Sequence, residues 1–282
     1  MADRIGAQIQ AGRLDEAIGN ARKAVGQFPA SAQLQQLLGA ALFKRGTNAE
    51  ARAAFQRAIQ LDPRDPQSYF NLALVELAEK QTAEAAKALE VFLKAEPSNA
   101  QARVLLGRAY HNLNRTIPAI EQFKKALEIS PQLPMAHYHL GFAYQSQGKF
   151  AEALEEYEKE IRQTPNFYEP YWLAGNIELG RGNLDAAHNL FRQGVALKPQ
   201  AYEANYGLAR VLVARKQFDA AEAALRRVIE LKPDQVEAHY ALARVYQQLG
   251  RRDDAARELK AVAELHGRDA SRKSGIAGTQ MQ

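Results

Sequence analysis

The sequence of 282 residues contains no cysteine, and it has no apolar run long enough to span a membrane. Without cysteine the chain can form no disulfide bond, thiolate nucleophile or cysteine-ligated metal site. Residues 1–17 also lack the apolar core of a secretory signal peptide. We therefore predict a cytoplasmic protein that makes no contact with a membrane. A secreted or periplasmic location stays open if further residues precede Met1.

An excess of charge of one sign is also missing. The chain has 37 basic and 32 acidic side chains, and its formal net charge is +5. The two signs are mixed along the chain and form no long blocks, which is typical of a solvated helical surface. Nucleic acid is therefore disfavoured as a partner.

Sequence motifs for catalysis are absent as well. There is no glycine-rich phosphate loop, no His-Glu-x-x-His and no serine nucleophile motif. The six histidines form no ligand pattern, since His137 and His139 are two residues apart and lie on different faces of a helix. We predict a protein that is not an enzyme and that binds no metal or cofactor.

Two residue types recur along the chain with a spacing of 34 residues. The prolines of this series are Pro29, Pro63, Pro97, Pro131, Pro165, Pro199 and Pro233. The alanines are Ala17, Ala51, Ala85, Ala119, Ala153, Ala187, Ala221 and Ala255. A fixed period of this length indicates a repeat architecture.

Each repeat has the pattern of two helices. Apolar residues recur at spacings of three and four, a glycine-containing turn divides the repeat, and the proline ends the second helix. Asp65, Asn99 and Asp234 follow prolines, where they are expected to cap the next helix. No segment alternates as a strand does, so we predict an all-α chain of antiparallel helix pairs.

The repeats resemble tetratricopeptide repeats. That family has a Trp-like site, a Leu-Gly step, a Tyr, an Ala, a Phe and a Pro in each unit, and here the Leu-Gly step is present at Leu38-Gly39, Leu106-Gly107 and Leu140-Gly141. The resemblance implies a right-handed α-solenoid, a superhelix whose concave groove is lined by the first helix of each unit. We expect one solenoid over residues 1–266 and a disordered tail over 267–282. The expected units are 1–31, 32–65, 66–99, 100–133, 134–167, 168–201, 202–235 and 236–266.

The resemblance also assigns the neighbouring rings of Tyr171 and Trp172. Tyr171 occupies the family's Trp site, which is a packing position, and Trp172 occupies the next position, which faces the groove. The residues equivalent to Trp172 are Phe70, Val104, Tyr138, Tyr206 and Tyr240. Apart from Val104, they predict an aromatic stripe that either contacts a ligand or only fills space between first helices.

One helical turn further, the same face carries polar side chains. These are Arg108, Asn176, Arg210 and Arg244. The arginines are candidates for binding a ligand carboxylate. Alternatively, Arg210 and Arg244 form ion pairs with Glu203 and Glu237. Met135, His139, Phe142 and His111 are expected to form an adaptable apolar pocket between central units.

Two binding modes of the family are not supported by these residues. The carboxylate clamp for chaperone tails needs a lysine in the aromatic stripe, and the stripe has none. An asparagine ladder that holds peptide backbone is represented here by Asn71 alone. We therefore predict a scaffold or adaptor that binds an extended or helical peptide, possessing an acidic group, in its groove. The alternatives are a substrate-recognition domain of a larger, glycosyltransferase-like enzyme and, less favoured, a binder of single-stranded RNA.

The C-terminal helix suggests a second contact. Leu259, Val262 and Leu265 form an apolar stripe, and the sequence offers no capping helix behind it. We predict that this edge forms a homodimer or meets a partner domain.

Overall fold

The computed structural model describes residues 1–279, with side chains for residues 1–267. Within that range the chain forms sixteen α-helices and no strand. The helices are α1 (Ala2–Gln10), α2 (Leu14–Gln27), α3 (Ala32–Arg45), α4 (Asn48–Leu61), α5 (Pro66–Ala78), α6 (Thr82–Ala95), α7 (Ala100–Asn112), α8 (Thr116–Ile129), α9 (Ala136–Ser146), α10 (Phe150–Gln163), α11 (Glu169–Gly180), α12 (Leu184–Leu197), α13 (Tyr202–Ala214), α14 (Phe218–Leu231), α15 (Val236–Gln248) and α16 (Arg252–Thr279). The predicted all-α solenoid of helix pairs is confirmed.

The chain forms two compact bodies. The N-terminal body is Met1–Glu152 and the C-terminal body is Ala153–Gln282, so the boundary falls within α10. α16 is helical to Thr279, beyond the limit of 266 expected for the solenoid. The expected disordered tail falls mostly on residues whose side chains lie outside the described part of the chain. The division into a solenoid and a tail stays a prediction.

The turn from the first to the second helix of a pair always contains a residue with positive φ. Glycine fills this position at Gly12, Gly46, Gly148, Gly182 and Gly250, and other residues fill it at Lys80, Asn114 and Lys216. Glycine adopts this left-handed conformation without the steric cost that a Cβ atom brings. The same backbone turn therefore recurs with the 34-residue period.

The alanine series forms the contacts between the two helices of each pair. Its members from Ala17 to Ala221 are fully buried, and Ala255 is almost so. A glycine of the first helix approaches an aromatic ring of the second. A Cβ atom at Gly39 would lie 2.8 Å from the Phe55 ring, and one at Gly107 would lie 2.6 Å from the Phe123 ring. Small residues are needed where the helices approach this closely.

Two of the three predicted helix caps are confirmed. The backbone N–H of Ser68 donates to Oδ2 of Asp65 over 2.8 Å, and the N–H of Ala102 donates to Oδ1 of Asn99 over 2.9 Å. The prediction for Asp234 is wrong. α15 starts one residue later, so that Gln235 is its N-cap and forms no capping hydrogen bond through its side chain.

Candidate functional site

At the repeat position of Tyr171, the side chain forms a hydrogen bond with the carbonyl of the proline six residues earlier. The hydroxyl of Tyr171 donates to the carbonyl oxygen of Pro165 over 2.9 Å, and the ring is only 4% exposed. The equivalent side chains of Tyr69, Arg103, Asn205 and His239 reach the carbonyls of their own prolines in the same way. The prediction that Tyr171 is a packing residue is confirmed. Besides ending helices, these prolines accept hydrogen bonds through their carbonyl oxygens.

Trp172 is half-buried and packs on two hydrophobic clusters of the C-terminal body. One cluster contains Tyr168 and Ala204, and the other contains Phe191 and Val211. Trp172 therefore joins α11 to the helices that follow it. Its predicted contact with a ligand stays a prediction, but the ring also contributes to the core.

In the N-terminal body the first residues of the predicted stripe are occupied by internal contacts. The rings of Phe70 and Phe92 lie 4.9 Å apart, and Val104 is 9% exposed. The side-chain amide of Gln67 donates to Oδ1 of Asn71 over 3.0 Å. This part of the first-helix face is filled by its own side chains.

A small cavity of about 200 Å³ lies between α7, α8 and α9 in the same body. Its lining consists of Arg108, His111, Asn112, Phe123, Tyr138, His139 and Phe142. Five of these, namely Arg108, His111, Tyr138, His139 and Phe142, are predicted site residues. Met135, which precedes α9 with a φ of 64° and is exposed, is absent from the lining.

The two histidines of this cavity are held neutral. Burial, and secondarily the nearby charge of Arg108, lowers the pKa of His139 to about 4. Burial also lowers the pKa of His111, whose Nε2 lies 2.9 Å from Oγ of Ser146. The Ser146 hydroxyl donates to the carbonyl of Phe142, so Nε2 of His111 is the donor in that pair. At neutral pH, Arg108 is therefore the charged group of this cavity's lining.

A larger cavity of about 530 Å³ lies in the C-terminal body, between α13, the start of α14, and α15. Three predicted site residues line it, namely Tyr206, Tyr240 and Arg244. Tyr240 is 52% exposed, far more than the other members of the stripe that pack inward. A second cavity of about 340 Å³ shares Val213, Ala214 and Ala241 with the first and adds Arg210.

Arg210 is engaged by neighbours that are not carboxylates. Its Nη1 donates to Oδ1 of Asn176 over 3.1 Å, and its guanidinium lies 6.0 Å from the centre of the Tyr206 ring. Glu203 instead accepts a hydrogen bond of 3.3 Å from the hydroxyl of Tyr168. Among the described side chains, the alternative ion pairs Arg210–Glu203 and Arg244–Glu237 do not form.

Several lining residues of the large cavity were missed by the sequence analysis. They are Val213, Ala214, Lys216, Phe218, Glu237, Ala241, Val245 and Gln248. The available signal was side-chain size. Ala241 has a short side chain at the repeat position that Leu173 fills in α11 and His139 fills in α9, but size alone is no sufficient signal, because Gly207 at the same position of α13 is covered by the Phe191 ring.

Neither a metal-binding cluster nor a membrane-spanning helix occurs among the described residues. No group of three or more His, Cys, Asp or Glu side chains there could hold a metal ion. No helix in the described range is long and apolar enough to cross a membrane.

Sequence profiles of one family match most of the chain. Profiles described as tetratricopeptide repeat match residues 67–99, 134–167, 178–235 and 212–275, and one described as TPR repeat matches 39–79 and 118–148. The chain belongs to the tetratricopeptide repeat family. A comparison with curated protein sequences found no match.

Solved structures of tetratricopeptide repeat proteins share the fold. The chain is 24% identical to MamA, over 59% of this chain and 97% of that one, with a TM-score of 0.57. It is 20% identical to YrrB, described as a TPR protein with an unusual peptide-binding site, over 66% and 96% of the two chains, with a TM-score of 0.59. The C-terminal part of a TPR repeat-containing protein from Cytophaga hutchinsonii is 15% identical over 86% and 99%, with a TM-score of 0.70. At these identities the likeness establishes the tetratricopeptide repeat fold alone.

Proposed function

We propose that the chain is a non-catalytic scaffold that binds a peptide segment of a partner protein on the first-helix face of its C-terminal body. The observation that carries this proposal is the cavity of about 530 Å³ between α13 and α15. Its volume lies within the range of small-molecule and side-chain binding sites, roughly 300–1,000 Å³. The fold supports a protein-interaction role, and the cavity supplies a place for it.

The lining suits an anchoring side chain of a ligand. The half-exposed ring of Tyr240 and the ring of Tyr206 flank apolar side chains, and Arg244 adds a donor for carboxylate or carbonyl oxygens. Tyrosine and arginine are enriched among the residues that dominate binding energy at protein interfaces. A peptide that buries one bulky side chain here can satisfy its backbone at the rim.

The test is selection of a displayed random nonapeptide library on the purified chain. We expect enriched peptides whose binding falls by about thirtyfold in Tyr240→Ala, the effect of losing a contact worth about 2 kcal/mol. Phe28→Ala is the matched control, because Phe28 is also an exposed aromatic residue but lies in the N-terminal body. Selection that enriches no peptide, or peptides that bind Tyr240→Ala as well as the wild type, would contradict the proposal.

A further inference from the structure

The large cavity has opposite charges along one wall. Glu237 and Arg244 both line it, and they are seven residues apart on α15. Seven residues are about two helical turns, so both side chains lie on the same face, with about 10 Å between them along the axis. The cavity thus has a negative end and a positive end.

A second basic side chain, besides Arg244, follows the C-terminal end of α13. Consecutive helices joined by short turns pack antiparallel, so α13 and α15 run in the same direction. Lys216, two residues after the end of α13, lines the cavity and lies beside the C-terminal half of α15, where Arg244 is. The positive end of the cavity therefore carries two cationic side chains.

Neither Glu237 nor Arg244 is neutralised within the protein. Among the described residues, no side chain forms a hydrogen bond or ion pair with either of them. Arg210 differs, because Asn176 and Tyr206 hold it. Asn176 lies 34 residues before Arg210, and Arg210 lies 34 residues before Arg244. Because Arg210 and Arg244 carry like charges, Arg210 cannot hold Arg244 as Asn176 holds Arg210.

The charge of Glu237 contributes to the raised pKa values of two tyrosines on α13. Burial raises the pKa of Tyr206; the charge of Glu237 acts in the same direction, and that of Arg210 opposes it. Burial likewise raises the pKa of Tyr202 to about 12, with contributions from Tyr206 and Glu237. The carboxylate of Glu237 therefore lies near the rings of Tyr202 and Tyr206.

Much of the cavity lining is apolar. Val213, Ala241 and Val245 contribute to it beside the two tyrosines, and Ala241 lies between Glu237 and Arg244 along α15. A ligand that matches the whole lining needs a bulky apolar side chain between two charges of opposite sign, because charges across an interface add specificity when they are complementary.

Resting on the proposed function, we infer that this cavity selects peptide segments in which a basic and an acidic residue flank a bulky apolar one. The basic side chain pairs with Glu237, and the acidic one pairs with Arg244 and Lys216. At about 3.3 Å per residue, an extended segment spans the 10 Å with three residues. A helical segment spans it with seven.

The experiment repeats the peptide selection on charge-reversed variants of the full chain. Wild type should enrich peptides with one basic and one acidic residue three or seven positions apart around an apolar residue. Arg244→Glu should enrich peptides with basic residues at both places, and Glu237→Lys should enrich peptides with acidic residues at both. Each variant should bind the wild-type peptides at least tenfold more weakly.

The control is Arg192→Glu, which makes the same charge change at an exposed position of α12 away from the cavity. It should enrich the same peptides as the wild type. The inference would be overturned if all the charge variants enriched peptides with the same charge pattern. The proposed function would still stand if those peptides bound the wild type and lost affinity in Tyr240→Ala. Failure of wild type to enrich any peptide would overturn both.

Discussion

The first-helix faces of the two bodies differ although the same repeat positions build them. In the N-terminal body, Phe70 packs on Phe92, and the remaining cavity of about 200 Å³ holds two neutral histidines. In the C-terminal body, Tyr240 stays half-exposed beside a cavity of about 530 Å³. The repeat fixes where a side chain lies, and the size and charge of its neighbours decide whether the face is filled or open.

Trp172 and Tyr240 give the strongest contrast, because they occupy the same repeat position. Trp172→Ala should lower the free energy of unfolding by about 3 kcal/mol, since the half-buried ring packs on two clusters. Tyr240→Ala should change it by less than about 0.5 kcal/mol, as is usual for an exposed side chain. Urea denaturation of both variants measures the difference, and equal losses would show that the two positions are not distinguished by packing.

The glycines test how closely the helices approach in each body. A Cβ atom at Gly207 would lie 2.1 Å from the buried ring of Phe191, so Gly207→Ala should destabilise the chain by about 2 kcal/mol. Gly107→Ala, where the Phe123 ring is 2.6 Å away, should cost less. Gly180→Ala is the control, because nothing lies within 4 Å of its added Cβ atom. The melting temperatures of the three variants should follow this order, and an undisturbed Gly207→Ala would refute the packing described for α13.

A buried carboxyl in the N-terminal body contrasts with the cavity-lining Glu237. Burial, and secondarily the charge of Glu84, raises the pKa of Glu76 to about 7 from 4.5. The folded state therefore favours the protonated form, and this stabilisation is full below pH 4.5 and is lost as the pH rises through 7. Glu76→Gln should raise the free energy of unfolding at pH 8 by about 1–2 kcal/mol and leave it nearly unchanged at pH 4. An equal effect at both pH values would contradict the pKa.

The smallest effect is expected at Asn176. Its side chain accepts from Arg210 at an exposed position, so Asn176→Ala should change stability by less than about 0.5 kcal/mol. If Arg210 is only a bystander, as its present contacts indicate, the affinity for selected peptides should also change by less than about twofold. A large gain in affinity would mean that Asn176 withholds Arg210 from the ligand.

The fold could be predicted from the sequence because the repeat signals report on local packing. The alanine series marks contacts with no free space, and the proline series marks helix ends, so each residue type follows from its immediate neighbours. Helix starts were less certain. The cap at Asp234 was placed one residue too early, because the preference for an acidic cap was followed instead of the 34-residue period, which leads from Asp65 and Asn99 to Gln235.

The candidate site was only partly predictable. The family position put Tyr206, Tyr240 and Arg244 on one face, and all three line one cavity, but it also grouped them with Phe70 and Trp172, which pack inward. Whether a ring at this position is open depends on residues 34 positions away and on the second helices, such as Phe92 and Phe191. Those contacts are made in three dimensions, and a single repeat pattern does not contain them.

At the C-terminal edge, the last helix of the C-terminal body also leaves an apolar side chain exposed. Leu259 is 40% exposed, whereas its equivalents Phe55, Phe123 and Phe191 are almost fully buried. We still expect this edge to form a homodimer or to meet a partner domain. Light scattering of the wild type against Leu259→Lys checks the homodimer, which predicts a twofold difference in mass. Equal monomeric masses at high micromolar concentration would exclude self-association.

The most direct test of the account is a nuclear magnetic resonance titration of the isotope-labelled chain with a peptide selected on the wild type. Backbone amide shifts should concentrate on α13 and α15, around Tyr206, Ala241 and Arg244, and Tyr240→Ala should need about thirtyfold more peptide to produce them. Shifts that concentrate instead on α7 and α9, around Arg108 and His139, would show that the small cavity of the N-terminal body is the binding site and would contradict the central claim.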